Sequence, residues 1–323
     1  MESPTAVLEL SAAPDSRERF GRYAWWLLGY TLLVILFGAV VRITGSGAGC
    51  GQHWPSCNGE LIHLPRTLKT TIEYSHRATS GISVLAIAGL GVFGFRLYPQ
   101  RHPVRRAAAL ACAMILVEAL LGAALVRLHL VENDASLARA LVLPLHLMST
   151  SLLTASLAWC AFFATQGAFV PRKLPTAARA LLALAGLAVL VVSATGAVTA
   201  LGDTVYPVHT SGLAARLQED QGASAHLLQR MRALHPLLAI AAAAFVAYVA
   251  AVLPAYRSGP DVKRASLALA GSVSLQVLAG ALNIFLSAPG YLQVVHLLLA
   301  NFTWISLILL TAAARVAQDP SAA

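Results

Sequence analysis

Residues 178–199 read ARALLALAGLAVLVVSATGAVT, an apolar run whose one charge, Arg179, stands at its start. A helix rises ~1.5 Å per residue, so a run of about this length crosses a hydrocarbon core of roughly 30 Å. Working outward, comparable runs recur near residues 24–44, 72–95, 107–128, 141–164, 230–253, 263–286 and 291–314. None shows the strict alternation of apolar and polar residues that a membrane β-barrel strand needs. The expected fold is therefore all-α: a polytopic membrane protein with eight transmembrane helices.

Composition agrees. Of 323 residues, 58% are hydrophobic and 11% charged, with a mean hydropathy of +0.70, against roughly 25% charged in a soluble domain. The first span follows a polar head with Glu2, Glu9, Asp15 and Glu18 and no small-residue cleavage pattern, so it is read as retained. The net charge of +9 does not point to nucleic acid, because its location follows the membrane. Fourteen of the 23 Lys and Arg, from Arg17 to Arg315, fall on the short segments of one side, so the positive-inside rule predicts both termini in the cytoplasm. An inner (plasma) membrane location is expected.

Eight spans divide into two sets of four. At an offset of 158, Gly38-Ala39-Val40 matches Gly196-Ala197-Val198, and Gly122-Ala123 matches Gly280-Ala281. His76 matches His235 at 159, and His146 matches His296 at 150. Sets with an even number of spans enter the membrane in the same direction, which predicts two pseudo-symmetric four-helix bundles related by an axis along the membrane normal. The expected organisation is an N-terminal cytoplasmic segment over 1–23, a first half over 24–164, a linker over 165–177, a second half over 178–314 and a tail over 315–323.

Six histidines, His53, His63, His102, His129, His209 and His226, lie in loops or beside charges and read as solvated. The other four, His76, His146, His235 and His296, sit at matching depth near the outer ends of alternate spans. An ionisable side chain within a span is costly without a partner. Each alone could be an interhelical hydrogen-bond donor. Repeated on four helices, they form two facing pairs, and a facing pair in a helix bundle can ligate heme iron from both sides. Zinc is less expected, because no closely spaced tetrahedral ligand set accompanies them.

The halves differ where their jobs would differ. Glu73 stands three residues before His76 on the same helical face, and Arg232 stands at that place before His235. Glu73 could accept a proton or stabilise positive charge, or merely favour a helix start. Arg232 could pair with a heme propionate; Arg77 could do so or reach only the outer water. Glu118, opposite Gln276 in the repeat, reads as a packing residue or part of a proton path. Cys50 and Cys57 share the first outer loop, where a disulfide is expected as a staple, with thiol exchange as the alternative. Cys112 and Cys160 read as apolar packing. Leu61-Ile62-His63-Leu64 could form a short amphipathic cover.

The motif Arg42-Ile43-Thr44-Gly45-Ser46-Gly47, followed by Cys50, Trp54-Pro55, Cys57-Asn58-Gly59 and Glu73-Tyr74-Ser75-His76-Arg77, resembles the heme A synthase family. That resemblance implies an oxidoreductase that converts a methyl group of heme O to a formyl group by successive O2-dependent hydroxylations. It places substrate heme O between His76 and His146, with Glu73 catalytic, and heme b between His235 and His296. It implies a heme O synthase and an electron donor as partners, in membrane lipid, and leaves a homo-oligomer open. The second cysteine pair that some members carry has no counterpart over 202–229. Two other readings stand beside it: a bis-histidine cytochrome that only transfers electrons, with quinol for instance, and a transporter.

Overall fold

The computed structural model describes residues 14–166, 170–207 and 213–317. The described residues are helical almost throughout: α1 (Pro14–Ile43), α2 (Leu68–Leu97), α3 (Pro103–Arg127), α4 (Leu137–Thr165), α5 (Thr176–Val205), α6 (Leu213–Gln221), α7 (Leu227–Tyr256), α8 (Pro260–Phe285) and α9 (Gly290–Ala313). Eight of these, all but α6, are long and apolar enough to cross a membrane. Several extend beyond their apolar runs, α1 by ten residues at its start and α5 by six at its end, as polar residues continue the helix past the hydrocarbon. Thr67, His102, Ser136 and His226 each accept a backbone N–H in the first turn of α2, α3, α4 and α7. The short helix α6 carries no apolar run and was not anticipated.

Large apolar side chains stand outward in mid-helix, among them Leu33, Leu85, Leu116, Leu187, Ile240 and Leu267. In water such a surface would be unstable; in a bilayer it is the correct solvent match. The protein is a multi-pass membrane protein.

In the first half, α1 touches α2, α2 touches α3, α3 touches α4, and α4 returns to α1. In the second half, α5, α7, α8 and α9 close a ring in the same order. The two rings meet through α4 against α5 and α9, and through α1 against α9. The indole N–H of Trp304 on α9 donates to the carbonyl of Ser151 on α4 at 2.6 Å across that seam. Two-residue strands β1 (Val170–Pro171) and β2 (Val316–Ala317) pair antiparallel where the linker meets the end of α9.

Close approach fixes the depth at which helices cross. At Gly202 on α5, an added Cβ would lie 2.6 Å from the carbonyl oxygen of Leu228 on α7. Gly202→Ala therefore forces two backbones apart, and is expected to cost about 1–3 kcal/mol. The check is a lowered thermal midpoint in detergent, with Gly81→Ala, where an added Cβ meets open space, shifting it far less.

Candidate heme-binding pockets

All four histidines of the repeat are half-buried and lie in the first three turns of α2, α4, α7 and α9. Those helices all start on the face that carries the Cys50–Cys57 loop, so the four rings share one depth. The structure places one such ring on each of α2 and α4 in the first half and on each of α7 and α9 in the second.

Glycines make the room. A Cβ at Gly38 would stand 3.2 Å from Cε1 of His76, one at Gly196 would stand 3.0 Å from Cε1 of His235, and one at Gly280 would stand 3.1 Å from Cε1 of His296. The repeated glycines therefore seat three of the rings against neighbouring helices. Gly122, the counterpart of Gly280, faces open space.

The polar neighbours of the rings differ. His146 Nδ1 lies 2.8 Å from Oε2 of Glu118, an ion-pair distance at which the carboxylate favours the proton on Nδ1 and leaves Nε2 for another partner. The hydroxyls of Ser149 and Thr150 also reach Glu118. His76 Nδ1 is buried without a hydrogen-bond partner, and the ring of Phe37 meets it edge-on at 5.6 Å. His235 Nδ1 lies 3.1 Å from the hydroxyl of Thr195, which replaces Phe37 in the repeat. Nε2 of Gln276 lies 3.2 Å from Nε2 of His296, while Gln276 Oε1 and His296 Nδ1 are buried and unpartnered. For His296 to offer Nε2 to a metal, the Gln276 amide has to turn aside.

Glu73 is buried, and its carboxylate fastens the first loop. Oε2 accepts the backbone N–H of Cys50 at 2.7 Å, and Oε1 receives Nε and Nη2 of Arg77 at 3.1 and 2.5 Å. Arg77 also donates to the carbonyls of His53 and Ser56. Cys50 and Cys57 are disulfide-bonded, with 4.4 Å between their Cα atoms. Gly51 and Gly59 adopt positive φ of 61° and 91° in this loop, where a side chain would be strained.

The profile of the family COX15-CtaA, described as cytochrome oxidase assembly protein, matches residues 21–308. The chain belongs to that family. It is similar to a protein of Thermus thermophilus named protoheme IX farnesyltransferase, with 40% identity over 296 residues, covering 92% of this chain and 48% of the relative. It is also similar to proteins of Bacillus cereus and Bacillus anthracis named heme A synthase, with 38% identity over 109 residues, covering 32% of this chain and 35% of theirs. The chain thus spans about half the length of the Thermus relative.

In this COX15-CtaA chain several side chains depart from the expectation. Arg232, expected at a propionate, is buried with Nε 2.9 Å from Asp203 and Nη1 2.9 Å from Asp220, and it donates to the carbonyls of Gly202 and Tyr206. Arg232 and Arg77 alike meet protein partners instead of the open face that a propionate needs. Each fastens the loop over its half. Glu118, expected as a packing residue or part of a proton path, has His146 as its partner. His102, expected to be solvated, is fully buried against the ring of Tyr98 at 4.6 Å. Outside the membrane-spanning segments, burial pushes the His102 imidazole down to about 4 and the Tyr98 phenol up to about 12. His226, also expected to be solvated, is half-buried as the cap of α7, while His53 and His129 are exposed as expected; His209 lies outside the described residues. Leu61, Ile62 and Leu64 form no helix and stand 74%, 89% and 84% exposed, so the expected cover is not packed on the protein.

Arg42 was visible only as part of a motif. In the structure its Nη1 reaches the Ala200 carbonyl at 2.7 Å and the Thr204 hydroxyl at 2.5 Å, and Nη2 donates to Gln293 at 2.8 Å. It ties the end of α1 to α5 and α9. The available signal was a lone arginine ending an apolar span, whose repeat counterpart is Ala200.

Proposed function

We propose that this protein is a heme A synthase, oxidising a methyl group of heme O to a formyl group by successive O2-dependent hydroxylations. The observation that carries the reading is four half-buried histidines within the first three turns of α2, α4, α7 and α9, which this reading pairs as His76 with His146 and His235 with His296. Half-buried imidazoles suit a porphyrin iron, and Gly38, Gly196 and Gly280 leave room for three of the rings beside neighbouring helices. In this reading the first pair holds substrate heme O and the second holds heme b. When bound, heme b supplies one-electron chemistry, with electrons from an external donor. The Thermus relative offers support for the substrate, since a protein named for farnesylating protoheme carries a region similar to this chain.

What the protein's own groups do follows from their contacts. The histidines bind and orient. Arg77 and Arg232 hold the loops that restrict water above each pocket. Glu73, one turn closer to the loop face than His76, is held in place by Arg77 and the Cys50 N–H, and acts on charge at the reacting edge of the substrate. The reading also places the pockets on the outer side of the inner membrane with both termini in the cytoplasm, and a heme O synthase as the upstream partner.

Purified protein given heme O, a reductant and air is expected to yield a formyl-bearing heme by chromatography. Heme binding without that product would favour the electron-transfer cytochrome instead. Glu73→Gln retains an oxygen for the Cys50 N–H while removing the charge, and is expected to leave heme content intact and lower formyl production about 100-fold. Wild-type production in Glu73→Gln would leave Glu73 as a loop anchor only.

A further inference from the structure

We infer that Glu118 is a positioning residue that makes His146 the firm iron ligand of the first pocket and leaves His76 the displaceable one, through a carboxylate that the second pocket replaces with the neutral Gln276. This rests on the reading that His76 and His146 hold heme iron. The carboxylate of Glu118 stands 2.8 Å from His146 Nδ1, and two hydroxyls, Ser149 and Thr150, converge on its other oxygen. A carboxylate that takes the N–H of a ligating imidazole fixes the ring and increases its electron donation through Nε2. On the opposite side, His76 Nδ1 has no hydrogen-bond partner among the described residues, and Phe37 and Gly38 lie against the ring. One ligand is fixed by charge and the other by packing alone.

The second half shows that this is not a requirement of the fold. Glu118 is replaced by the neutral Gln276, and the hydroxyls of Ser149 and Thr150 are replaced by Leu299 and Ala300 at the offset of His146 to His296. The residues that would solvate a buried carboxylate are absent together with the carboxylate. His235, for its part, gains the Thr195 hydroxyl that His76 lacks. A heme that must arrive, react and leave needs one ligand that holds and one that yields.

The test uses the full protein loaded with heme O and heme b, read by spectroelectrochemical titration, with the two hemes assigned from a His235→Ala preparation. Glu118→Gln is expected to raise the midpoint potential of the first-pocket heme and leave the second unchanged. Gln276→Glu is expected to lower the potential of the second and leave the first unchanged; it decides the matter if Glu118→Gln does not fold. Carbon monoxide added to the reduced wild type is expected to bind the first-pocket heme alone. Unchanged potentials in both variants would overturn the inference while the heme reading stands. If neither His76→Ala nor His146→Ala changes heme content, the heme reading fails and the inference with it.

Discussion

His146→Ala is expected to remove heme from the first pocket and reduce formyl production to the level of a preparation without the protein, while the second pocket keeps its heme b. The side chain removed is the one most firmly placed, by Glu118 at 2.8 Å. Its loss withdraws one of the two imidazoles that would hold the iron and leaves Glu118 with Ser149 and Thr150, which lie on the next turn of α4 and keep the helix contact. The fold should persist, because the packing of α4 rests on Leu153, Leu157, Ala158 and Ala161, all buried deeper in the helix. His235→Ala is the mirror experiment, expected to spare the first pocket and release heme b. A pyridine hemochrome count with chromatography of the extracted hemes checks both. Two full equivalents of heme in either variant would remove the basis for the two-pocket reading.

Arg232→Ala is expected to be the most destabilising single change, by about 3–5 kcal/mol, because it removes the cation from between two buried carboxylates. Asp203 and Asp220 both lie 2.9 Å from the guanidinium, and their side chains are 12% and 7% exposed. Asp220 belongs to α6 and Asp203 to α5, so one side chain on α7 fastens both to the start of its own helix. Arg232→Lys keeps the charge but cannot span both carboxylates and two carbonyls, and should fall between. Thermal unfolding in detergent gives the stability, and limited proteolysis within 213–226 reports release of the loop. A wild-type melting profile for Arg232→Ala would show that the four contacts are not what holds this corner.

The eight spans and the paired histidines were legible because hydrocarbon is a severe solvent. Long apolar runs have few other uses, and an imidazole inside one stands out by its cost. The Cys50–Cys57 bond was legible for a related reason, since two cysteines seven residues apart share one loop. His102 was misread because a lone histidine beside Arg101 looks solvated, whereas its ring caps α3 and stacks on Tyr98. The partners of Arg232 were not legible, because a guanidinium suits a propionate and an aspartate equally well and nothing in the order of residues says that Asp203 and Asp220 meet it. Glu73 showed its carboxylate but not the Cys50 N–H that it would receive.

The sequence by itself determined that this chain crosses a membrane eight times and carries four histidines at one depth, because hydropathy and helical rise are properties of each segment alone. Only the tertiary structure decided which polar atoms meet: Glu118 with His146, Thr195 with His235, Arg42 across the seam between halves, and Arg232 with two aspartates. Hydrogen bonds act over about 3 Å, so their partners are set by how helices far apart in the chain are packed, and that distance is invisible until the bundle is built.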